Sequence, residues 1–292
     1  MIQSGLKDKV VLITGGNHGI GAATARAFAA EGAAILINYL RLPPQGEPSP
    51  QGSTTTDEEP GIAFYNAIRA KAADEVVHSI RKHGGRSSAI EADLADPATI
   101  PLLFEQAEKL FGPVDVLVNN ADHCEQDTFI PGAEATTLAP DGFPSQPISA
   151  AGHDEHFAVN SRAVALMMAE YARRRITSKV HWGRIINIST DGAPGFAGEI
   201  SYGASKAAIE SYSRAAAVEL GPYGITVNII SPGPVQTGWI TPESEQVIAA
   251  ETPLRRVGQP EDIADVIVFL ASEQARWLSG QLLSVSGGRR FL

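Results

Sequence analysis

Short runs of consecutive apolar residues recur along the chain, separated by longer stretches in which apolar positions return every three or four residues. Val10 to Ile13, Ala34 to Asn38, Ser87 to Glu91, Val114 to Asn119, Gly183 to Ser189, Thr226 to Ser231 and Leu282 to Val285 read as strands. Strands that are apolar on successive residues are buried on both faces, which is the pattern of a parallel sheet covered by helices. The intervening segments predict helices over Ile20 to Glu31, Asn66 to His83, Pro97 to Phe111, His153 to Arg174, Ser201 to Gly221 and Pro260 to Ser272. Strand and helix in alternation imply an α/β fold of the Rossmann type, a doubly wound parallel sheet of about seven strands with helices on both faces.

Two stretches break this rhythm. Leu42 to Gly61 holds five prolines among Ser, Thr and acidic residues and predicts an exposed excursion, read as a tolerated insertion. Asp122 to Gly152, with Pro131, Pro140, Pro144 and Pro147, is long for a connection. It leaves the sheet at its carboxyl edge, where loops meet substrate, so a functional part is expected there. Neither stretch marks a boundary, and residues 1–292 are read as one domain.

Composition narrows the class. A net charge of -10 and a pI near 5.2 argue against a nucleic-acid surface, which needs clustered Lys and Arg. The basic run Arg173 to Arg175 fits a solvated helix end near the negative pole of its dipole. The single cysteine, Cys124, cannot form an internal disulfide, which suits a reducing compartment. No apolar stretch has the length of a membrane span, and the first residues lack a signal-peptide core, so a cytoplasmic protein without a membrane partner is expected.

Candidate chemistry begins at Thr14 to Gly21, which follows the first apolar run and precedes the alanine-rich Ala22 to Ala30. Glycines at 15, 19 and 21 allow a tight turn and close approach to a pyrophosphate, whose charge sits at the positive end of the following helix. A dinucleotide is the expected guest, with Gly15, Asn17, His18, Gly19 and Ile20 around its phosphates. At the end of the second strand a carboxylate would hold a ribose 2′-hydroxyl and repel a 2′-phosphate, but the chain has Asn38, Tyr39, Leu40 and Arg41. Arg41 as a planar donor to the phosphate, with Asn17 and His18 nearby, predicts NADP(H) as the preferred cofactor and NAD(H) as a second one. An Arg41 that merely opens the excursion is the alternative.

Further on, Tyr202 and Lys206 are four residues apart and share one helical face. An ammonium beside a phenol favours the phenolate, lowering a pKa that begins near ~10 and making the tyrosine a usable acid or base. By itself such a pair is more often a surface Tyr and Lys. Ser189 precedes Tyr202 by thirteen residues, and Asn160 lies upstream.

These motifs together resemble the short-chain dehydrogenase/reductase family, over about Lys9 to Gly288, with 3-oxoacyl-carrier-protein reductases among the members most similar. In family order stand Thr14-Gly15-x-x-x-Gly19-x-Gly21, Asp93-Leu94, Asn119-Asn120-Ala121, Asn160, Ser189, Tyr202 with Lys206, and Pro232-Gly233-Pro234-Val235-Gln236-Thr237. One position departs from the pattern: where the family has glycine after Asn-Asn-Ala, this chain has Asp122, whose side chain must point away from the cofactor or alter the pocket.

The resemblance implies strand order 3-2-1-4-5-6-7 and hydride transfer between nicotinamide and a small carbonyl compound or secondary alcohol. Tyr202 would move the proton and Lys206 would hold the nicotinamide ribose. Ser189 would donate to the carbonyl oxygen, where charge develops. Asn160 would anchor a water that resupplies protons. Asp93 would accept from the adenine amino group and Leu94 would pack on the ring. Asn120 and Ala121 would border the cofactor, and Pro232, Gly233, Val235 and Thr237 would hold the carboxamide end. Thr190 offers an alternative to Ser189, but the Ser-x-x-Gly pattern ending at Gly192 and the thirteen-residue spacing favour Ser189. Gly233 to Arg256, carrying Trp239, Ile240, Val247, Ile248 and Leu254, would be a mobile lid.

His123, Cys124, His153 and His156 invite a zinc reading, but family members need no catalytic metal and no metal is expected. The helices around Val159 to Arg174 and Ala204 to Leu220 carry too many small and apolar residues for one buried stripe each, which predicts a homotetramer or homodimer. Two classes remain: an NADP(H)-dependent oxidoreductase, and a dinucleotide-binding sensor without turnover. Sensors of this family usually lack the Tyr or the Lys, and here Asn160, Ser189, Tyr202 and Lys206 are all present.

Overall fold

The computed structural model describes residues 4–42, 59–131 and 144–289. Positions 43–58 of the proline-rich excursion and 132–143 of the long loop lie outside them, so the expectations for those positions do too.

Seven parallel strands form the main sheet: β1 (Val10–Thr14), β2 (Ala34–Tyr39), β3 (Arg86–Glu91), β4 (Val116–Asn119), β7 (Gly183–Ile188), β8 (Ile225–Pro232) and β9 (Leu282–Val285). Their spatial order is β3-β2-β1-β4-β7-β8-β9. This is the expected 3-2-1-4-5-6-7 once two short strands, β5 (Asp127–Thr128) and β6 (Gln146–Pro147), are set aside as a separate parallel pair in the long loop.

The continuous apolar runs have a direct structural meaning. Side chains alternate faces along a strand, so Val11 and Ile13 of β1 enter one core with Ile35, Ile37, Val116 and Val118, while Val10 and Leu12 enter the other with Leu36 and Leu117. Helices α1 (Gly19–Ala30) and α9 (Pro260–Ala271) cover the first face through Phe28, Ile263 and Ile267. The second is covered by α4 (Thr99–Leu110) and α6 (Val164–Thr177) through Leu103, Phe104, Met167 and Tyr171. Each fully buried Ile or Leu contributes ~1.5–3 kcal/mol relative to an exposed one. A one-residue slip would exchange the two side-chain sets, so the double core also holds the register.

The helix expected over Asn66 to His83 is two helices, α2 (Ile62–Arg69) and α3 (Asp74–Lys82). Asp74 and Glu75 in the first turn of α3 and Arg81 and Lys82 in its last complement a dipole that begins at 74, which accounts for the break. The helix expected over His153 to Arg174 is also divided. It begins as α5 (Ala150–Phe157), whose Ser149 cap accepts from Gly152 N, and passes through a π-helical turn at Ala158–Ala163 before continuing as α6. The long helix α7 (Ile200–Leu220) follows β7. Within the expected lid lies an unforeseen helix, α8 (Pro242–Glu251). Its start was readable: Thr241 caps Ser244 N, Pro242 opens the first turn, and Glu243 and Glu245 follow.

Candidate active site

The glycine loop leaves the carboxyl end of β1 and turns into α1. Gly15 and Gly19 have φ of 65° and 52°, left-handed values that disfavour a side chain. A Cβ on Gly15 would stand 2.8 Å from Ala121 Cα, and one on Gly21 would strike the Gly15 carbonyl oxygen. The loop is stapled to β4: Thr14 Oγ1 accepts from Asn120 N and Ala121 N, and Asn120 Nδ2 donates to the carbonyls of Thr14 and Gly15. Asn120 thus shapes the loop from behind. His18 caps α1 with no side-chain bond, and no acidic residue occupies the first turn. The positive helix end is therefore bare, a cradle that fits the pyrophosphate of a dinucleotide.

At the end of β2, Asn38 is buried and donates to Ala92 O. Tyr39 O accepts from Ala92 N, so the strand end is closed by main-chain pairing. Arg41 is exposed and forked onto Glu91, with Nη2 to Oε2 at 2.8 Å and Nε 3.0 Å from both carboxylate oxygens. Asn17 donates to Lys71 O in the gap between α2 and α3. Burial pushes His18 down to about 4, so its ring is neutral at physiological pH, and Nδ1 is buried without a hydrogen-bond partner. Asp93 accepts from Ala95 N in a local turn, and Leu94 is buried beside it.

The second half of the site is assembled on α7. Tyr202 packs beside Phe196, and Lys206 Nζ lies 5.5 Å from the centroid of the tyrosine ring while donating to Ile188 O at 3.0 Å. Asn160 sits in the π-helical turn, a feature that often marks functional sites. Its Oδ1 accepts from His123 N, and its Nδ2 donates to His123 O and Ser205 Oγ. These bonds clamp the loop after β4 to the helix that carries Tyr202 and Lys206.

Ser189 is buried, and its hydroxyl donates to Glu210 Oε1 at 2.8 Å. The neighbouring Thr190 Oγ1 accepts from Gly192 N at 3.3 Å, and its own proton has no described protein acceptor. Glu210 lies one helical turn beyond Lys206, a signal present in the sequence but without meaning until β7 and α7 are packed together.

The electrostatics reverse one expectation. Tyr202 stands well above the ordinary tyrosine range, pushed up by burial first and then by Asp122, Cys124, Glu199 and Tyr65. Lys206 is pushed down by burial and held up in part by Asp122. Burial and the acidic neighbours together keep the phenol protonated, so Tyr202 is a neutral donor in this structure. Its hydroxyl reaches Asp122 Oδ2 at 3.4 Å. Asp191, two residues beyond Ser189, is raised to about 6 by burial, and its Oδ2 is buried without a hydrogen-bond partner.

Of the four residues weighed as a metal set, His123 and His156 lie together while His153 and Cys124 turn to other partners. His156 uses one ring nitrogen on Glu125 N and the other on Gly152 O, while His153 stacks on Phe157 and meets Asp154. Cys124 Sγ is directed at Glu199, and His123 packs edge-on against the His156 ring.

The segment after β8 closes the site from above. Val235 pairs with Gly258, and a Cβ on Gly19 would lie 3.1 Å from Thr237 Cγ2, so the segment Pro232, Gly233, Val235, Thr237 comes down onto the start of α1. Gly61 N donates to Gly238 O, joining the start of α2 to the same cover.

Residues 57–290 match a family model described as enoyl-(acyl carrier protein) reductase, and residues 9–48 match one described as short chain dehydrogenase. The chain is 31% identical to versicolorin reductase stcU of Emericella nidulans, over 97% of this chain and 96% of that one. It is 30% identical to the 3-oxoacyl-[acyl-carrier-protein] reductase FabG of Aquifex aeolicus, over 97% and 98%. Among solved structures it resembles a blue fluorescent protein from a metagenomic library in complex with NADPH, with TM-score 0.74, 31% identity and coverage of 97% and 98%.

Proposed function

Because the chain belongs to the short-chain dehydrogenase/reductase family and is an oxidoreductase of C=O and CH–OH groups that uses a nicotinamide cofactor, we propose that it is an NADP(H)-dependent carbonyl reductase with Tyr202 as its proton donor. The observation that carries this reading is Tyr202 held as a neutral phenol beside Lys206, on a helix clamped by Asn160 to the loop that follows β4. When bound, the nicotinamide supplies the hydride to the carbonyl carbon. Tyr202 gives its proton to the substrate oxygen, and Lys206, with one of its three N–H groups on Ile188 O, has donors left for the ribose. Thr190 donates to the same carbonyl oxygen, since Ser189 is engaged with Glu210. In the oxidative direction the same groups run in reverse.

The preference for NADP(H) rests on the absence of a carboxylate at Asn38 and Tyr39 and on Arg41 at the strand end, where the 2′-phosphate would take the guanidinium from Glu91. The NADPH-bound structural relative supports it. Substrates are small or medium ketones and aldehydes, and the relative named as a 3-oxoacyl-[acyl-carrier-protein] reductase adds β-ketoacyl compounds to the range worth assaying.

The deciding experiment measures NADPH oxidation against ketones, aldehydes, quinones and β-ketoacyl thioesters, with Tyr202→Phe in parallel. We expect turnover on at least one class, a loss of ~10²–10⁴-fold in Tyr202→Phe and nearly unchanged NADPH binding. NADPH binding without turnover on any class would favour a dinucleotide sensor. Wild-type turnover in Tyr202→Phe would overturn the acid–base assignment.

A further inference from the structure

Asp122 occupies the position where the family motif has glycine, and its carboxylate lies against the proposed proton donor. The Tyr202 hydroxyl reaches Asp122 Oδ2 at 3.4 Å, longer than the ~2.7–2.8 Å usual for O–H···O. The loop is not free to carry the carboxylate away. His123, the next residue, is held through both its N–H and its C=O by Asn160, and Asn160 donates to Ser205 on the helix that bears Tyr202. Asp122 and Tyr202 are thus two ends of one hydrogen-bonded circuit.

We propose that Asp122 is a positioning residue that accepts the Tyr202 hydroxyl, keeps the phenol protonated, and so sets the pH range in which the protein delivers a proton rather than takes one. The inference rests on the reading of Tyr202 as acid and base. In carbonyl reduction the O–H bond of Tyr202 breaks, its proton goes to the substrate oxygen and a phenolate remains. With a carboxylate beside it, that phenolate recaptures a solvent proton readily. In alcohol oxidation the phenolate must form first, and like-charge repulsion from Asp122 opposes it.

Other groups face the same pair. On α7 and its start are Lys206 and Glu199; from α2 comes Tyr65 with Arg69 over its ring; from the loop come Cys124 and His123; from the glycine loop comes His18. Glu199, Tyr65 and Cys124 act in the same direction as Asp122 on the phenol, and Asp122 stands ahead of them, second only to burial. Asp122 also offsets burial at Lys206, ahead of Cys124, and at His18. One carboxylate therefore bears on the proton donor, its lysine and the histidine of the phosphate loop together.

The test uses the full chain with its cofactor, one alcohol–ketone pair that the wild type turns over, and the variants Asp122→Asn and Asp122→Gly. Asparagine keeps size and hydrogen bonding while removing charge; glycine restores the family residue. In both we expect the pH at half-maximal kcat for oxidation to fall by about one unit, and oxidation at pH 7 to rise about threefold or more. Profiles of both variants that superimpose on the wild type along the pH axis, with rates merely scaled, would overturn the proposal. Tyr202→Phe, measured beside them, separates the two readings. Turnover surviving there overturns both, whereas an inactive Tyr202→Phe with unmoved Asp122 profiles overturns the role of Asp122 alone.

Discussion

Ser189 and Thr190 are adjacent hydroxyls with different partners, and spacing along the chain had favoured the first. Strand geometry sends neighbouring side chains to opposite faces. Ser189 accordingly shares the side of Asn187, which donates to Ser213 on α7, and ends on Glu210 of the same helix. If Thr190 is the donor to the carbonyl oxygen, Thr190→Val lowers kcat by ~10²-fold or more while Ser189→Ala costs less than about tenfold; the reverse ranking in steady-state assays would return the role to Ser189. Asp191 makes a separate prediction about stability. Its folded-state value of about 6 lies above the ordinary 3.8, so between those pH values the folded protein holds the extra proton and stability falls as pH rises. Above about pH 6 the buried charge costs its full amount, relieved in part by Arg289. Asp191→Asn should raise Tm by about 2–4 °C at pH 8 and leave it unchanged near pH 4, as thermal melts across that range will show. Neither Glu210 nor Asp191 was legible as a partner in the sequence, because burial and not residue type gives each its character.

At the scale of elements, the connection from β1 to α1 was legible because glycine is demanded there by backbone sterics. Gly21→Ala places a methyl against the Gly15 carbonyl and 2.7 Å from Asn120 Nδ2. We expect at least a tenfold rise in the Kd for NADPH with a lower Tm, measured by fluorescence titration and melting. The strand ends of β2 and β3 carry the cofactor prediction. Arg41→Ala should raise the KM for NADPH far more than that for NADH, and the difference should shrink with salt. Glu91→Gln, which releases the guanidinium from its ion pair, should lower the KM for NADPH; equal kcat/KM with NADH in the unmodified protein would sink the preference. The π-helical turn at Asn160 was not legible. Its extra residue depends on what Asn160 and Ser161 meet across the interface, Ser205 in both cases, and helical periodicity carries no trace of that.

For the molecule as a whole, α7 presents an apolar face that the described residues of its own chain do not cover. Ala204, Ala207 and Ala215 are exposed there with Tyr212 at 46% and Val218 at 78% of their full surface, and Leu166 of α6 adds to it. Such a face is the expected seat of a helix-to-helix contact with another copy, and a homotetramer built from it is our proposal. Light scattering should report four chains at micromolar concentration, and Val218→Asp with Tyr212→Asp should reduce the mass to one or two chains. A wild-type monomer would rule the assembly out.

The sheet and its order could be read from the chain because a parallel strand covered on both faces needs an unbroken apolar run, and Val10 to Ile13 or Ile35 to Ile37 admit few other roles. The glycine loop and the spacing of Tyr202 and Lys206 were legible for a similar reason: each is a local rule, one of backbone sterics and one of helical period. The protonation of Tyr202 was not. Its sequence neighbour Lys206 argues for a phenolate, and only the packed structure brings burial, Asp122 and Glu199 to bear against it. The direction in which Ser189 donates and the clamp from Asn160 to His123 belong to the same class. They depend on residues far apart in the chain, at distances of a few ångströms that no pattern of residue types contains, and electrostatic and hydrogen-bond energies vary steeply over such distances.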